Sequence, residues 1–144
     1  MLAGEFSFWL RRRSTLSVCC LVGAAGALCP LAFSPFHLVP VLFLSFALLV
    51  RVIGLARGCG TALAFGWAFG FGYFVGGLYW IEYAFVVAQR GTLLGCFAVG
   101  LMSVALGLVV AIVAVLTKLT GFVGVRQSMA VACFWTLGEW VRSF

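Results

Sequence analysis

The stretch TLLGCFAVGLMSVALGLVVAIVAVLT, from Thr92 to Thr117, contains no charged residue and no proline. About 20 predominantly apolar residues are enough for a helix to cross a hydrocarbon core roughly 30 Å thick. This run exceeds that length. A membrane-spanning β-strand would instead alternate polar and apolar residues over about ten positions. A continuous run reads as helix, because a helix satisfies its own backbone hydrogen bonds where lipid offers no partner.

Four more apolar runs flank it. The first runs from about Ser14 to Cys29, after Arg11, Arg12 and Arg13. The second runs from about Leu38 to Leu55, with Arg51 its single charge. The third runs from about Thr61 to Ala88 and contains Glu82. The last begins near Gln127 and continues to Phe144. The expected fold is therefore all-α: a polytopic integral membrane bundle of about five transmembrane helices, the fifth truncated. Residues 1–13 read as a cytoplasmic N-terminal segment and residues 14–144 as one transmembrane bundle, because every connection is too short to separate domains.

Composition agrees. Of 144 residues, 65% are hydrophobic and 12 are charged, nine basic and three acidic. A soluble domain carries about 25% charge and less than half apolar residues, and a chain this size cannot hide so much apolar surface from water. The six cysteines lie in or beside apolar runs, which excludes a secreted disulfide scaffold. The basic residues are scattered in ones and threes, which argues against nucleic-acid binding. With a cytoplasmic N-terminus, Arg11, Arg12, Arg13, Arg51, Arg57, Lys118 and Arg126 fall inside, and Arg90 and Arg142 outside. That bias orients the bundle. A cleaved signal peptide is the rival reading of the start, but Leu28 stands where a lipoprotein cleavage box needs a small residue before Cys29.

The third run is rich in glycine. Gly66 and Gly70, then Gly72 and Gly76, are four apart, a spacing that lets another helix approach the backbone while aromatics such as Phe69 project elsewhere. Counting from Thr61 at about 1.5 Å per residue puts Trp80 about 28 Å up the helix, where Tyr79, Trp80 and Tyr83 form an interfacial belt. Glu82 is either a functional carboxylate or a solvated interface residue. Glu139 and Arg142 are three apart and share a helix face, so they can pair. Cys19, Cys20, Cys29, Cys59, Cys96 and Cys133 make no metal or redox motif, and no lysine or histidine stands near one to generate a thiolate. No catalytic residue, cofactor site or metal site is expected.

Three stretches together resemble the N-terminal transmembrane region of bacterial apolipoprotein N-acyltransferase. They are Leu31-Ala32-Phe33-Ser34-Pro35-Phe36 with Pro40; Gly66 to Phe74 leading to Gly77-Leu78-Tyr79-Trp80; and Trp135-Thr136-Leu137-Gly138-Glu139-Trp140-Val141-Arg142. The resemblance covers roughly residues 15 to 144. It implies a multi-pass inner-membrane protein of lipoprotein biosynthesis whose bundle carries a periplasmic nitrilase-like domain. That domain's Glu, Lys and Cys move an acyl chain from a phospholipid, through a thioester, to a diacylated lipoprotein. The resemblance makes Trp80, Glu82, Tyr83, Glu139, Trp140 and Arg142 candidate contacts for lipid headgroups or for that domain. The sequence departs from the family in containing neither the further spans nor the nitrilase-like domain, and none of its cysteines has the nucleophile's context. The chain alone is expected to be inactive. A small transporter or channel and a non-catalytic membrane scaffold are the rival functions. A transporter would want charge near the midplane or broken helices in repeated positions.

The basic bias makes a testable topology. In a variant otherwise free of cysteine, a cysteine at position 90 should react with a membrane-impermeant maleimide in intact spheroplasts. A cysteine at position 118 should react only after permeabilisation; the reverse pattern would overturn the orientation.

Overall fold

The computed structural model describes residues 13–33, 37–88 and 91–143. Among them are six α-helices, one 3-10 turn and no strand. Helix α1 spans Thr15–Leu28 and is capped by Ser14, whose hydroxyl accepts the Ser17 N–H at 3.3 Å. It runs into the 3-10 turn Cys29–Ala32, where Pro30 ends the regular α-helical bonding. Helix α2, Val39–Leu55, opens with Pro40 in its first turn, where the missing N–H costs nothing. Helix α3 is Cys59–Leu78, α4 Trp80–Val87, α5 Thr92–Leu119 and α6 Val125–Arg142.

The helical bundle expected from the apolar runs is present. Helices α1 with its 3-10 turn, α3 and α5 are long and apolar enough to cross a membrane. Helix α2 is equally apolar but has 17 residues. Helix α6 has 18 residues and is less apolar, carrying Arg126, Glu139 and Arg142. Two boundaries differ from the sequence reading. The third run is not one helix to Ala88: it breaks at Tyr79, where the Glu82 N–H bonds the Tyr79 carbonyl three residues back, at 3.1 Å. The Gly76-Gly77 pair just before the break weakens the helix there. Lys118 and Arg126, which lie between the apolar runs in the sequence, sit on the last turn of α5 and the first turn of α6. The turn between them uses Gly121 and Gly124, both at positive φ. The first three residues of the Ser34–His37 stretch, the N-terminal residues before Arg13, and Gln89 and Arg90 lie outside the described residues.

Helix α3 is the centre of the bundle, and its glycines decide why. The sequence spacing suggests one seam; the structure has two, on different faces. A Cβ placed on Gly66 would lie 2.7 Å from the Val110 carbonyl, and one on Gly70 would lie 2.9 Å from the Gly107 Cα. Both glycines face α5. A Cβ on Gly72 would lie 2.0 Å from the Gly23 carbonyl, and one on Gly76 2.8 Å from that of Ala27, so this pair faces α1. Helix α1 answers with Gly26, whose Cβ would meet the Phe69 carbonyl at 2.2 Å. Real Cβ contacts are essentially never this short, so only glycine allows these approaches.

Phe69 does project away from both seams, but not toward the outside. It is fully buried and meets Phe46 of α2 edge-on at 5.4 Å and Trp135 of α6 at 6.5 Å. Phe46 and Trp135 close the cluster at 4.9 Å. At the basic end, buried Gln127 of α6 donates its amide N–H to the Val50 carbonyl at 2.8 Å, and Lys118 donates to the Gly54 carbonyl at 3.3 Å. A cation on the last carbonyls of α2 suits the negative end of that helix.

Gly70→Leu should therefore lower the thermal midpoint in detergent. Overpacking costs about 1–3 kcal/mol even where side chains can shift, and a backbone cannot. Gly100 of α5 has open space around it. Gly100→Leu should leave the midpoint unchanged or raise it, and equal losses for the two variants would contradict the seam.

Candidate functional site

The six residues expected at the aromatic end do not form one cluster. Heights along the helices separate them. Measured from Cys59 at about 1.5 Å per residue, Phe74 stands about 22 Å up α3, and Glu82 of α4 lies against Gly95, about 36 Å from the end of α5 at Leu119. Gly138 of α6 lies opposite Val109 of α5, where a Cβ would touch the valine at 3.0 Å. Val109 is about 15 Å from the end of α5 at Leu119, so Arg142, one turn beyond Gly138, stands about 21 Å up. A contact agrees with that figure: the Arg142 guanidinium lies over the Phe74 ring at 5.5 Å.

The upper group is Trp80, Glu82 and Tyr83 on α4. Trp80 and Tyr83 are largely exposed. Glu82 is half-buried, because α4 lies against the first turn of α5: a Cβ on Gly95 would be 3.1 Å from the Glu82 Cα. The lower group is Glu139, Trp140 and Arg142 on α6. Arg142 donates to a Glu139 carboxylate oxygen, as the three-residue spacing predicts. Phe74, which sequence reasoning passed over, fixes the guanidinium from α3 through a cation–π contact. An aromatic one turn above the Gly70 contact was the available signal. Tyr73 beside it packs on Trp135 at 5.8 Å.

A groove opens sideways between α5 and α6, about 420 Å³ in volume. Ile112, Leu116, Phe134, Leu137 and Val141 line it, and Arg142 stands at its margin as the one charged lining residue. The arrangement is an apolar slot with a compensated ion pair at its rim. It holds no catalytic constellation. Among the described residues the cysteines are free and no group of His, Cys, Asp and Glu could hold a metal ion. Cys29 is buried and its thiol bonds the Ala25 carbonyl.

Comparison with known proteins places this geometry. The family model for the apolipoprotein N-acyltransferase N-terminal domain matches residues 25–144. The chain belongs to that family. It is also 40% identical, over 124 residues, to the apolipoprotein N-acyltransferase of Rhodopseudomonas palustris. The match covers 82% of this chain and 23% of that protein, so the chain spans about a quarter of its relative's length. The family match begins inside α1 and takes in the α3 seams, the Tyr79 break, the slot and the Glu139–Arg142 pair.

The height of the pair has a measurable consequence. Exposed ion pairs couple by about 0.2–1 kcal/mol. A pair facing hydrocarbon cannot be replaced by water, so removing one partner strands the other. In lipid nanodiscs, Arg142→Gln should destabilise the protein more than the double variant Glu139→Gln/Arg142→Gln. A coupling above about 1 kcal/mol places the pair in the hydrocarbon. A coupling near zero would mean that both groups are solvated.

Proposed function

We propose that this chain is the membrane part of an apolipoprotein N-acyltransferase. In that reaction an acyl chain passes from a phospholipid to the N-terminal diacylglyceryl-cysteine of a lipoprotein, in the bacterial inner membrane. The observation that carries the reading is the family match across residues 25–144. In this reading residues 1–13 are cytoplasmic, residues 14–144 form the multi-pass bundle, and the aromatic end faces the periplasm. The seven-to-two bias of basic residues supports that orientation.

The bundle's part is to position lipid substrates. Trp80, Glu82 and Tyr83 stand at headgroup height, where a periplasmic nitrilase-like domain and lipid headgroups both come within reach. The slot between α5 and α6 is wide and apolar enough to take an acyl chain from the side. The partners are then the phospholipid donor and the diacylated lipoprotein, with no cofactor.

Acyl transfer through a thioester needs a thiolate and a base to make it. The sole lysine, Lys118, is committed to the Gly54 carbonyl at the basic end, and the cysteines sit in apolar helices. Purified chain given phospholipid and a diacylated lipopeptide should therefore yield no triacylated product by mass spectrometry. Product that disappears on mutating one of the six cysteines would overturn this division of labour.

A further inference from the structure

The chain holds three acidic residues, Glu5, Glu82 and Glu139. Glu139 bonds Arg142. Among the described residues nothing forms a hydrogen bond or an ion pair with the Glu82 carboxylate. We propose that Glu82 is the counter-ion for the ammonium group of a lipid-borne substrate, which it holds at the junction of α4 and α5. The proposal rests on the reading of the bundle as the membrane part of an acyltransferase, and gives the upper group of residues its ligand chemistry. Glu82 makes and breaks no bond in this role; it sets which lipids the bundle prefers.

Three observations carry the proposal. First, the surroundings supply no cation. Helix α4 carries no basic residue, and neither does the stretch from Gly91 to Thr117. A carboxylate at a membrane boundary is costly without an opposite charge. Second, its side chain is held. Glu82 is half-buried, and a Cβ on Gly95 would lie 3.2 Å from the Glu82 Cγ and 3.3 Å from the Phe85 Cβ. Glycine at position 95 leaves the room that the stem of Glu82 takes against α5. Gly95 is about 36 Å from Leu119, more than the roughly 30 Å of a hydrocarbon core, which puts the carboxylate among headgroups. Third, tyrosines flank it. Tyr79 and Tyr83 are one turn apart at the start of α4, three residues before Glu82 and one after, and are 58% and 67% exposed.

This chemistry selects its ligand. The electron-rich faces of aromatic rings attract alkylammonium groups, and a carboxylate adds a full negative charge. A hard inorganic cation such as calcium takes six to eight oxygen ligands. No group of acids, histidines or cysteines that could hold a metal ion gathers among the described residues. Lipid phosphates are repelled by Glu82, so the ammonium of a lipid is the group it can attract. Two lipids of the proposed reaction can carry one: a phospholipid donor through its headgroup, and a diacylated lipoprotein through its free α-amino group.

The test uses the purified chain in neutral detergent, native mass spectrometry, and two matched pairs of probes. One pair is phosphatidylethanolamine and its N-acetyl derivative. The other is a diacylated lipopeptide with a free amino terminus and the same peptide N-acetylated. In at least one pair the free amine should bind about fivefold more tightly, the worth of a partly exposed ion pair. A preference in the phospholipid pair alone makes the headgroup the ligand; one in the lipopeptide pair alone makes it the acceptor's amino group. Glu82→Gln should erase the preference, whereas the double variant Glu139→Gln/Arg142→Gln should keep it. If Glu82→Gln does not fold, Glu82→Asp, which draws the carboxylate back by one methylene, should reduce the preference. A free amine that gains nothing in either pair, or a preference that survives Glu82→Gln, overturns the proposal. Either result leaves the acyltransferase reading standing, because that reading rests on the family match across residues 25–144.

Discussion

Direct backbone contact on two faces of one helix is the constraint on which this bundle depends. In lipid the hydrophobic effect does not drive helices together, because tails are as apolar as leucine. Association must come from close packing, and packing is closest where no Cβ intervenes. Helix α3 presents Gly66 and Gly70 to α5, and Gly72 and Gly76 to α1. Once those two contacts are made, the remaining faces of α3 are assigned. Phe69 must point toward α2 and α6, and Phe46 and Trp135 gather around it. Phe74 must point toward the end of α6, and Arg142 lies over it. The end of α6 that carries Arg142 is thus placed by glycines that do not touch it.

Polar groups divide by end. At the basic end, Gln127 and Lys118 tie α6 and α5 to carbonyls of α2. Toward the aromatic end, one carboxylate pairs with one guanidinium at the rim of an apolar slot, and another packs against Gly95. A membrane interior tolerates charge where it is paired. The Glu139–Arg142 contact supplies such a pairing.

Much of this was legible in the sequence. Runs without charge announce helices, and the three-residue spacing of Glu139 and Arg142 announces their contact. Periodicity could not say that Gly66/Gly70 and Gly72/Gly76 serve different neighbours. Six residues separate Gly66 from Gly72, well over one turn and a half, so the two pairs look away from each other. The Tyr79 break was signalled by Gly76-Gly77, but aromatic residues on either side disguised it as one long span. The depth of Glu139 and Arg142 was hidden because it depends on how far α6 climbs along α5, which is set by Gly138 against Val109 and not by anything local.

The central claim is that α3 touches α5 and α1 backbone to backbone. Interhelical Hα–Hα cross-peaks in the NMR spectrum of specifically glycine-labelled protein in detergent test it most directly. The account predicts a strong cross-peak between Gly70 and Gly107, whose backbones meet across the α3–α5 seam. Cross-peaks from Gly70 only to side-chain methyl groups, with none to Gly107, would contradict it.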